Sequence, residues 1–201
     1  MDLKPTHPLL VVISGPSGVG KDTVVQRLKE RGLPFHFVVT ATSRPKRPDE
    51  VHSVDYFFYS EQEFLDLLKR GELLAHAIVY NEHKGVPKQQ VREAMASGLD
   101  VVMRVDVQGA KTIKQLAPEA VLIFLMASDE EELARRLRQR RTESEDMLQT
   151  RLQTAREELG YLEIFDYAVT NADSQVETAV DTILAIIEAE HHRTVPRRVV
   201  L

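Results

Sequence analysis

The chain contains 201 residues, of which 43% are hydrophobic and 28% are charged, and its formal net charge is −5. A chain of this size can bury one substantial core, so we expect a single globular protein. It contains no cysteine, which excludes disulfides and thiolate metal sites and favours a reducing, cytoplasmic setting. The acidic balance argues against a nucleic-acid partner, because a surface that binds a phosphate backbone needs an excess of positive charge.

The chain has no obvious targeting or membrane segment. Residues 1–5 lack the basic and then apolar arrangement of a signal peptide. No apolar stretch approaches the roughly 18 residues that a membrane span needs. We therefore expect a cytoplasmic protein without a membrane partner, either a monomer or a small homo-oligomer.

The first predicted strand, residues 9–13, leads into a glycine-rich loop and then a helical pattern. The loop has the sequence Gly15-Pro16-Ser17-Gly18-Val19-Gly20-Lys21-Asp22-Thr23. Gly15, Gly20 and Lys21 have the Walker A spacing, in which backbone N–H groups surround the phosphates of a nucleotide and the lysine reaches the transferred phosphate. We therefore predict that these nine residues bind ATP, in preference to forming a plain glycine-rich helix cap.

The residue after the loop lysine is Asp22, where the motif usually has a serine or threonine whose hydroxyl meets Mg²⁺. Thr23 is adjacent, but it lies about 100° further around the helix and does not simply take over that role. A carboxylate can ligate Mg²⁺ itself. We therefore predict Asp22 as a candidate magnesium ligand.

Residues 35–41 form the second predicted strand and residues 101–105 the third. Between them the alternation of strand and helix is interrupted. Residues 55–59 and 73–80 have the pattern of short strands that belong to a different, antiparallel unit. We therefore predict that residues 43–87 form an inserted lobe.

Asp106 directly follows the third predicted strand. At the carboxyl edge of a sheet, beside the phosphate loop, its carboxylate is suited to hold Mg²⁺ directly or through water. The alternative is an ordinary helix cap for the segment that starts at Gln108. The spacing alone does not decide between the two.

Residues 121–127 and 167–170 form the last two predicted strands. Residues 128–160 between them have a charged helical pattern with a basic break near 141–144, and two helices joined in this way are typical of a mobile lid. Residues 135–141 include five arginines, for which composition alone favours a solvated helix face. A final amphipathic helix is predicted to end near Glu190, before an irregular tail.

Strands that alternate with helices predict an α/β fold, in which a parallel sheet is covered by helices on both faces. We expect one domain. Its core comprises residues 1–42, 88–127 and 161–190, to which the inserted lobe and the lid are added.

Several further segments resemble the guanylate kinase family. They are residues 42–50 (TSRPKRPDE), 55–58 (DYFF), 105–110 (VDVQGA) and 169–171 (VTN), with the lid residues Arg140, Thr142, Ser144 and Arg151. Together with the phosphate loop they span nearly the whole chain in order, and several separate motifs are more specific than any one. The resemblance implies a P-loop nucleoside-monophosphate kinase that transfers the γ-phosphate of ATP to GMP, with Mg²⁺ as cofactor.

The resemblance also implies which residues hold the acceptor. Arg44 and Arg47 match arginines that bind the acceptor phosphate, and Tyr56 matches a tyrosine that joins them. Arginine suits this role because its planar guanidinium donates two hydrogen bonds to one phosphate. Thr40 and Lys84 belong to the same implied acceptor site.

The remaining implied roles concern the lid and the nucleotide core. Arg140 and Arg151 match lid arginines that move over the transferring phosphate on closure. Asp106 matches an acidic residue shared by the acceptor and metal regions, and Asn171 lies near the adenine side. The implied catalytic residues are Lys21, Arg44, Arg140 and Arg151.

The chain departs from the family pattern where the guanine base is read. Ala75 stands where the family usually has a glutamate, Val86 where it has a serine or threonine, and Lys84 where it has a tyrosine. Charge-assisted hydrogen bonds contribute roughly 1.5 to 3 kcal/mol each, so loss of a bidentate carboxylate removes on the order of two to four decades of guanine discrimination. We hypothesise that the phosphate site is kept while the base reader is altered, with Glu72, His76 or Glu82 as candidate substitutes.

Two other functions stay open from the sequence. One is a related kinase that phosphorylates another acceptor, either a different nucleotide or a ribosyl bisphosphate. The other is a non-catalytic binding module built on the same fold. Such modules typically lack a working phosphate loop, whereas this chain has Gly20, Lys21 and the acceptor arginines, so catalysis is the favoured interpretation.

Overall fold

The computed structural model describes residues 7–79, 82–138 and 145–201. In chain order the strands are β1 (Leu10–Ser14), β2 (Phe35–Phe37), β3 (Ala41–Thr42), β4 (Phe57–Phe58), β5 (Leu73–Val79), β6 (Glu82–Pro87), β7 (Asp100–Arg104), β8 (Val121–Met126) and β9 (Tyr167–Thr170). The helices are α1 (Lys21–Glu30), α2 (Glu61–Lys69), α3 (Lys88–Ala96), α4 (Val107–Leu116), α5 (Glu130–Arg138), α6 (Glu145–Leu159) and α7 (Val176–His191). Of the predicted lid residues, Arg140, Thr142 and Ser144 lie outside the described residues, as does the basic break at 141–144.

The larger sheet has five parallel strands in the order β2-β7-β1-β8-β9. All five residues of the central strand β1 are buried. Val11 and Ile13 pack with helices α1, α5, α6 and α7, whereas Leu10 and Val12 pack with α3, α4 and strands β5 and β6. The predicted α/β fold with a parallel sheet covered on both faces is therefore confirmed.

The second predicted strand, residues 35–41, is wrong as one element. It is split into β2 in the larger sheet and β3 in a smaller one. At Val39 the side-chain amide of Gln90 on α3 accepts from the backbone N–H and donates to the backbone C=O, at 3.0 and 2.6 Å. Because this amide replaces a neighbouring strand, the chain can leave the larger sheet without unpaired backbone groups.

The smaller sheet has four strands in the order β4-β3-β6-β5. Strand β6 is antiparallel to both β3 and β5, as predicted for this unit, but the short β3–β4 pair is parallel. Ala41, Phe64 and Leu73 form a separate small core between this sheet and α2. The sheet is built from residues 41–87, and the lobe boundaries 43–87 stay a prediction.

The segment after α7 has no regular secondary structure, as predicted, but it is firmly packed. Arg197 is 8% exposed, and its Nε and Nη2 donate to the two carboxylate oxygens of Glu190 at 2.8 and 2.9 Å. The Tyr167 hydroxyl donates to the same carboxylate at 2.7 Å. This ion pair ties the tail to α7 and β9. Within the described residues, no helix is long and apolar enough to cross a membrane.

We predict that Arg197→Ala lowers the free energy of unfolding by about 3 kcal/mol, because a buried carboxylate that loses its partner is strongly destabilising. The matched control is Arg198→Ala, whose side chain is exposed. We expect the control to change stability by less than about 0.5 kcal/mol. Urea denaturation followed by circular dichroism measures both values. Equal stability of the two variants would contradict the anchoring role.

Candidate functional site

A cavity of about 870 Å³ lies at the carboxyl edge of the parallel sheet, between the phosphate loop, the smaller sheet and α6. It contains most of the residues that the sequence predicted for the site. These are Gly15, Ser17, Gly18, Gly20, Lys21, Asp22, Thr23, Thr40, Tyr56, Lys84, Asp106 and Arg151. The structure therefore brings the predicted nucleotide loop and part of the predicted acceptor side to one space.

The loop conformation depends on two glycines. Gly15 has φ +138°, and a Cβ there would lie 2.1 Å from the backbone oxygen of Leu125 in β8. Gly20 is the N-cap of α1 with φ +90°, and a Cβ there would lie 2.5 Å from Nδ2 of Asn171. Larger residues are therefore excluded at both positions, and the loop packs directly against the ends of β8 and β9.

The loop lysine lies at the start of α1. Lys21 Nζ donates to the backbone oxygen of Gly15 and to that of Pro16, the latter at 2.9 Å. These contacts fold the ammonium group back over the loop, at the positive end of the α1 dipole. An anion that enters the loop meets the backbone N–H groups and this ammonium group together.

Asn171 supports the loop rather than lining the cavity. It is 5% exposed, and its Nδ2 donates to the Val19 oxygen at 2.8 Å. Arg136 on α5 binds the same segment, donating to the oxygens of Val19 and Asn171 at 3.3 and 2.8 Å. Since the Arg136 side chain is 15% exposed and also pairs with Glu132, the expectation of a solvated helix face is wrong for this residue.

The predicted acceptor arginines do not line the cavity. The Arg44 guanidinium binds both carboxylate oxygens of Glu50, at 2.8 and 2.6 Å, and lies 5.5 Å from the ring centroid of Tyr56. The Arg47 side chain is exposed, and its backbone N–H also donates to Glu50. Hydrogen bonds from Arg44 and Arg47 lower the pKa of Glu50 to about 2. The carboxylate partner of Arg44 therefore comes from the same segment, residues 44–50.

Other predicted acceptor residues do line the cavity. Tyr56 and Thr40 lie beside it, and so does Lys84, which pairs with Thr42 across β6 and β3. Burial raises the pKa of the Tyr56 phenol, so its hydroxyl stays a hydrogen-bond donor at neutral pH. These side chains offer a phosphate two neutral hydroxyl donors and one cationic donor.

Asp106 caps a helix, which is one of the two roles that the sequence left open. It is the N-cap of α4, and its Oδ1 accepts from the Gly109 backbone N–H at 2.7 Å. The helix begins at Val107, one residue before the predicted start. The same carboxylate lines the cavity, so the capping role and a ligand role are compatible.

The donor set of the cavity fits a magnesium ion. Asp22 and Asp106 both line it, and their oxygens are the hard ligands that Mg²⁺ prefers. Among the described residues, no group of three or more His, Cys, Asp or Glu side chains is arranged to hold a metal. Two carboxylates together with phosphate oxygens are the usual way in which proteins hold Mg²⁺.

Helix α6 covers the loop side of the cavity. Arg151 lies on this helix, and its Nη1 is 3.4 Å from the Ser17 hydroxyl of the loop. Glu158 on the same helix also lines the cavity. Burial raises the pKa of the Glu158 carboxyl, Lys21 opposes the shift and Asp106 adds to it. Sequence reasoning did not identify Glu158, because it stands within a run of charged helix residues that has no distinguishing pattern.

At the positions predicted to read the base, Ala75 and Val86 form a pair across β5 and β6 and line the cavity. Of the three candidate substitutes, Glu72 is bound to Arg70 at 2.8 Å and does not line it. Glu82 is also absent from its walls. His76 does line the cavity, with its ring Nε2 3.0 Å from Nδ1 of His83. This part of the cavity therefore combines the apolar side chains of Ala75 and Val86 with the imidazole of His76.

A family model described as guanylate kinase matches residues 7–190. Guanylate kinase 2, chloroplastic/mitochondrial, from Oryza sativa subsp. japonica is 53% identical over 196 residues, which cover 95% of this chain and 69% of the rice protein. Guanylate kinase from Streptococcus agalactiae serotype III is 42% identical over 186 residues, which cover 92% of this chain and 88% of that protein. The crystal structure of guanylate kinase from Anaplasma phagocytophilum has a TM-score of 0.75 at 30% identity, over 97% of this chain and 91% of that chain. The chain therefore belongs to the guanylate kinase family.

Proposed function

We propose that the chain transfers the γ-phosphate of ATP to GMP and releases ADP and GDP. A phosphate oxygen of GMP attacks the γ-phosphorus, and the bond from that phosphorus to the bridging oxygen of ADP breaks. The observation that carries the proposal is one cavity lined both by the phosphate loop and by Tyr56 and Lys84. Two phosphates held in line need such a shared space.

On the donor side, the loop N–H groups and Lys21 bind the ATP phosphates. The ammonium group exchanges the oxygens of Gly15 and Pro16, which it binds in the structure, for phosphate oxygens. Arg151, next to the Ser17 hydroxyl, stabilises the charge that develops on the transferred group. Arg140 has the same proposed role, and it lies outside the described residues.

On the acceptor side, the Tyr56 hydroxyl and the Lys84 ammonium group donate to the GMP phosphate. We propose that Arg44 and Arg47 also bind it, which requires Arg44 to exchange Glu50 for the phosphate. The guanidinium lies 5.5 and 5.6 Å from the ring centroids of Tyr56 and Phe58, so it starts the exchange next to a residue that lines the cavity. Thr40 borders the same region.

Magnesium fits this site through Asp22 and Asp106. Bound Mg²⁺ supplies charge neutralisation on the phosphate oxygens and helps to orient them. The chain itself contributes the carboxylates, and the cap on α4 fixes the direction of Asp106. Helix α6 lines the same cavity as the loop, and its approach on closure would exclude water from the transferred group.

We predict that Lys21→Ala lowers kcat by about 10²- to 10³-fold, as expected for loss of one group that stabilises transition-state charge. Lys69→Ala is the matched control, since its side chain is 72% exposed at the end of α2. A coupled assay of ADP release with GMP measures both variants. Turnover by Lys21→Ala at the level of the control would contradict the proposed function.

We predict weak discrimination between guanine and other bases, because Ala75 and Val86 are apolar. GMP should have the highest kcat/KM, with AMP within about a hundredfold of it, because the bidentate carboxylate that separates the two bases is missing. Rates with GMP, AMP, UMP, CMP and ribose 1,5-bisphosphate test this. Exclusive use of GMP would contradict weak discrimination between bases. A higher rate with another acceptor would identify a different kinase. If no acceptor supports ATP consumption, the chain is a binding module.

Ala75→Glu provides the reverse test. We expect the GMP to AMP ratio of kcat/KM to rise by about tenfold or more, since the new carboxylate accepts from the guanine N–H groups. Ala75→Gln has the same length without the charge and is the control for bulk. A ratio that does not differ between the two variants would exclude this position from base reading.

We also predict that the lobe, residues 43–87, and the lid, residues 128–160, approach the core when both substrates bind. Small-angle scattering with a non-hydrolysable ATP analogue and GMP should give a smaller radius of gyration than the chain alone. Each nucleotide added singly is the control. Identical profiles in all samples would contradict closure.

A further inference from the structure

Arg104 lines the cavity between the phosphate loop and Tyr56, and it has no role in the reaction proposed above. It is the last residue of β7 and pairs in register with Ile13 of β1, just before the phosphate loop. Its Nη1 forms an ion pair with Oδ1 of Asp22, and its Nη2 lies 3.4 Å from the Tyr56 hydroxyl. Arg104 therefore touches the donor side through Asp22 and the acceptor side through Tyr56.

The pair joins a mostly buried cation to an exposed anion. The Arg104 side chain is 29% exposed, whereas that of Asp22 is 71% exposed. Burial lowers the pKa of Arg104, although a guanidinium stays charged at neutral pH. A guanidinium has five N–H donors. Within the described part of the chain, the side-chain partners of Arg104 are Asp22 and Tyr56. A buried cation with so few partners favours the binding of a further anion.

The surroundings indicate which anion this is. The ATP phosphates already have the loop N–H groups and Lys21. On the opposite side, the Tyr56 hydroxyl has Arg104 as its neighbour in the cavity, while Arg44 is bound to Glu50. The guanidinium that lines the cavity beside Tyr56 is thus Arg104 and not one of the two predicted arginines.

We propose that Arg104 binds the phosphate of the acceptor nucleotide together with the Tyr56 hydroxyl, and that Asp22 positions its guanidinium for this contact. The planar fork suits this arrangement, because one part can hold the Asp22 carboxylate while the remaining donors face a phosphate. The inference rests on the proposed function and adds a substrate-contacting residue to it. Asp22 acts here as a positioning residue.

A purely structural role makes a different prediction. If Arg104 serves only to neutralise Asp22 beside the loop, its loss should have no effect once Asp22 is itself neutral. If Arg104 binds the acceptor phosphate, its loss should weaken acceptor binding whether or not Asp22 carries a charge. The comparison of Asp22→Asn with the double variant Asp22→Asn/Arg104→Gln separates the two roles.

The measurement is the Kd of GMP by calorimetry on the full chain, without ATP or Mg²⁺, so that a metal-binding role of Asp22 does not enter. We expect the double variant to bind GMP about 10- to 100-fold more weakly than Asp22→Asn, as loss of a charge-assisted hydrogen bond predicts. Asp22→Asn/Arg104→Lys should lie between them, since lysine keeps the charge without the fork. Equal Kd values for all three would overturn the inference.

Arg70→Gln is the control for removal of a paired arginine, because Arg70 binds Glu72 away from the cavity. We expect its Kd for GMP to equal that of the wild type. Thermal melting checks that each variant is folded, and the lysine variant carries the test if the glutamine variant is not. A wild-type chain that makes no GDP would contradict the proposed function, whereas an active wild type with equal Kd values in the three Asp22→Asn variants contradicts this inference alone.

Discussion

The position of one ammonium group, that of Lys21, governs the rest of the site. It is fixed because Gly15 packs against the backbone of Leu125 and because Gly20 starts α1 in a left-handed conformation. Asn171 then holds the loop from the end of β9 through Val19. The proposed phosphate-binding groups therefore take their place from the packing of three parallel strands.

Three described cations near the proposed phosphate positions have an acceptor within the chain. Lys21 binds loop carbonyls, Arg44 binds Glu50, and Arg104 binds Asp22. Such partners lower the cost of keeping cations in a partly buried cavity, and they hold the cations close to where phosphates arrive. On substrate binding, Lys21 and Arg44 exchange these internal acceptors for phosphate oxygens, whereas Arg104 keeps Asp22 and binds the phosphate with its remaining donors.

The sequence predicts the parts of the fold that local pattern determines. Strand β9 matches its expected bounds, and the loop from Gly15 to Thr23 lies where the motif predicts it. The split of residues 35–41 was not predictable, because it depends on Gln90, about fifty residues later in the chain. The place of Arg104 likewise depends on Tyr56 and Asp22, which only the tertiary fold brings to it. The sequence signal that could have identified Arg104 is a basic residue at the carboxyl end of β7, which lies beside β1.

In the proposed reaction, one cavity binds both nucleotides so that their phosphates meet over Lys21. The decisive experiment is calorimetric titration with a bisubstrate analogue, in which adenosine and guanosine are joined through a chain of phosphates. We expect one analogue molecule to bind per chain, and we expect the saturated chain to bind neither ATP nor GMP. An analogue that leaves the binding of either nucleotide unchanged would contradict it.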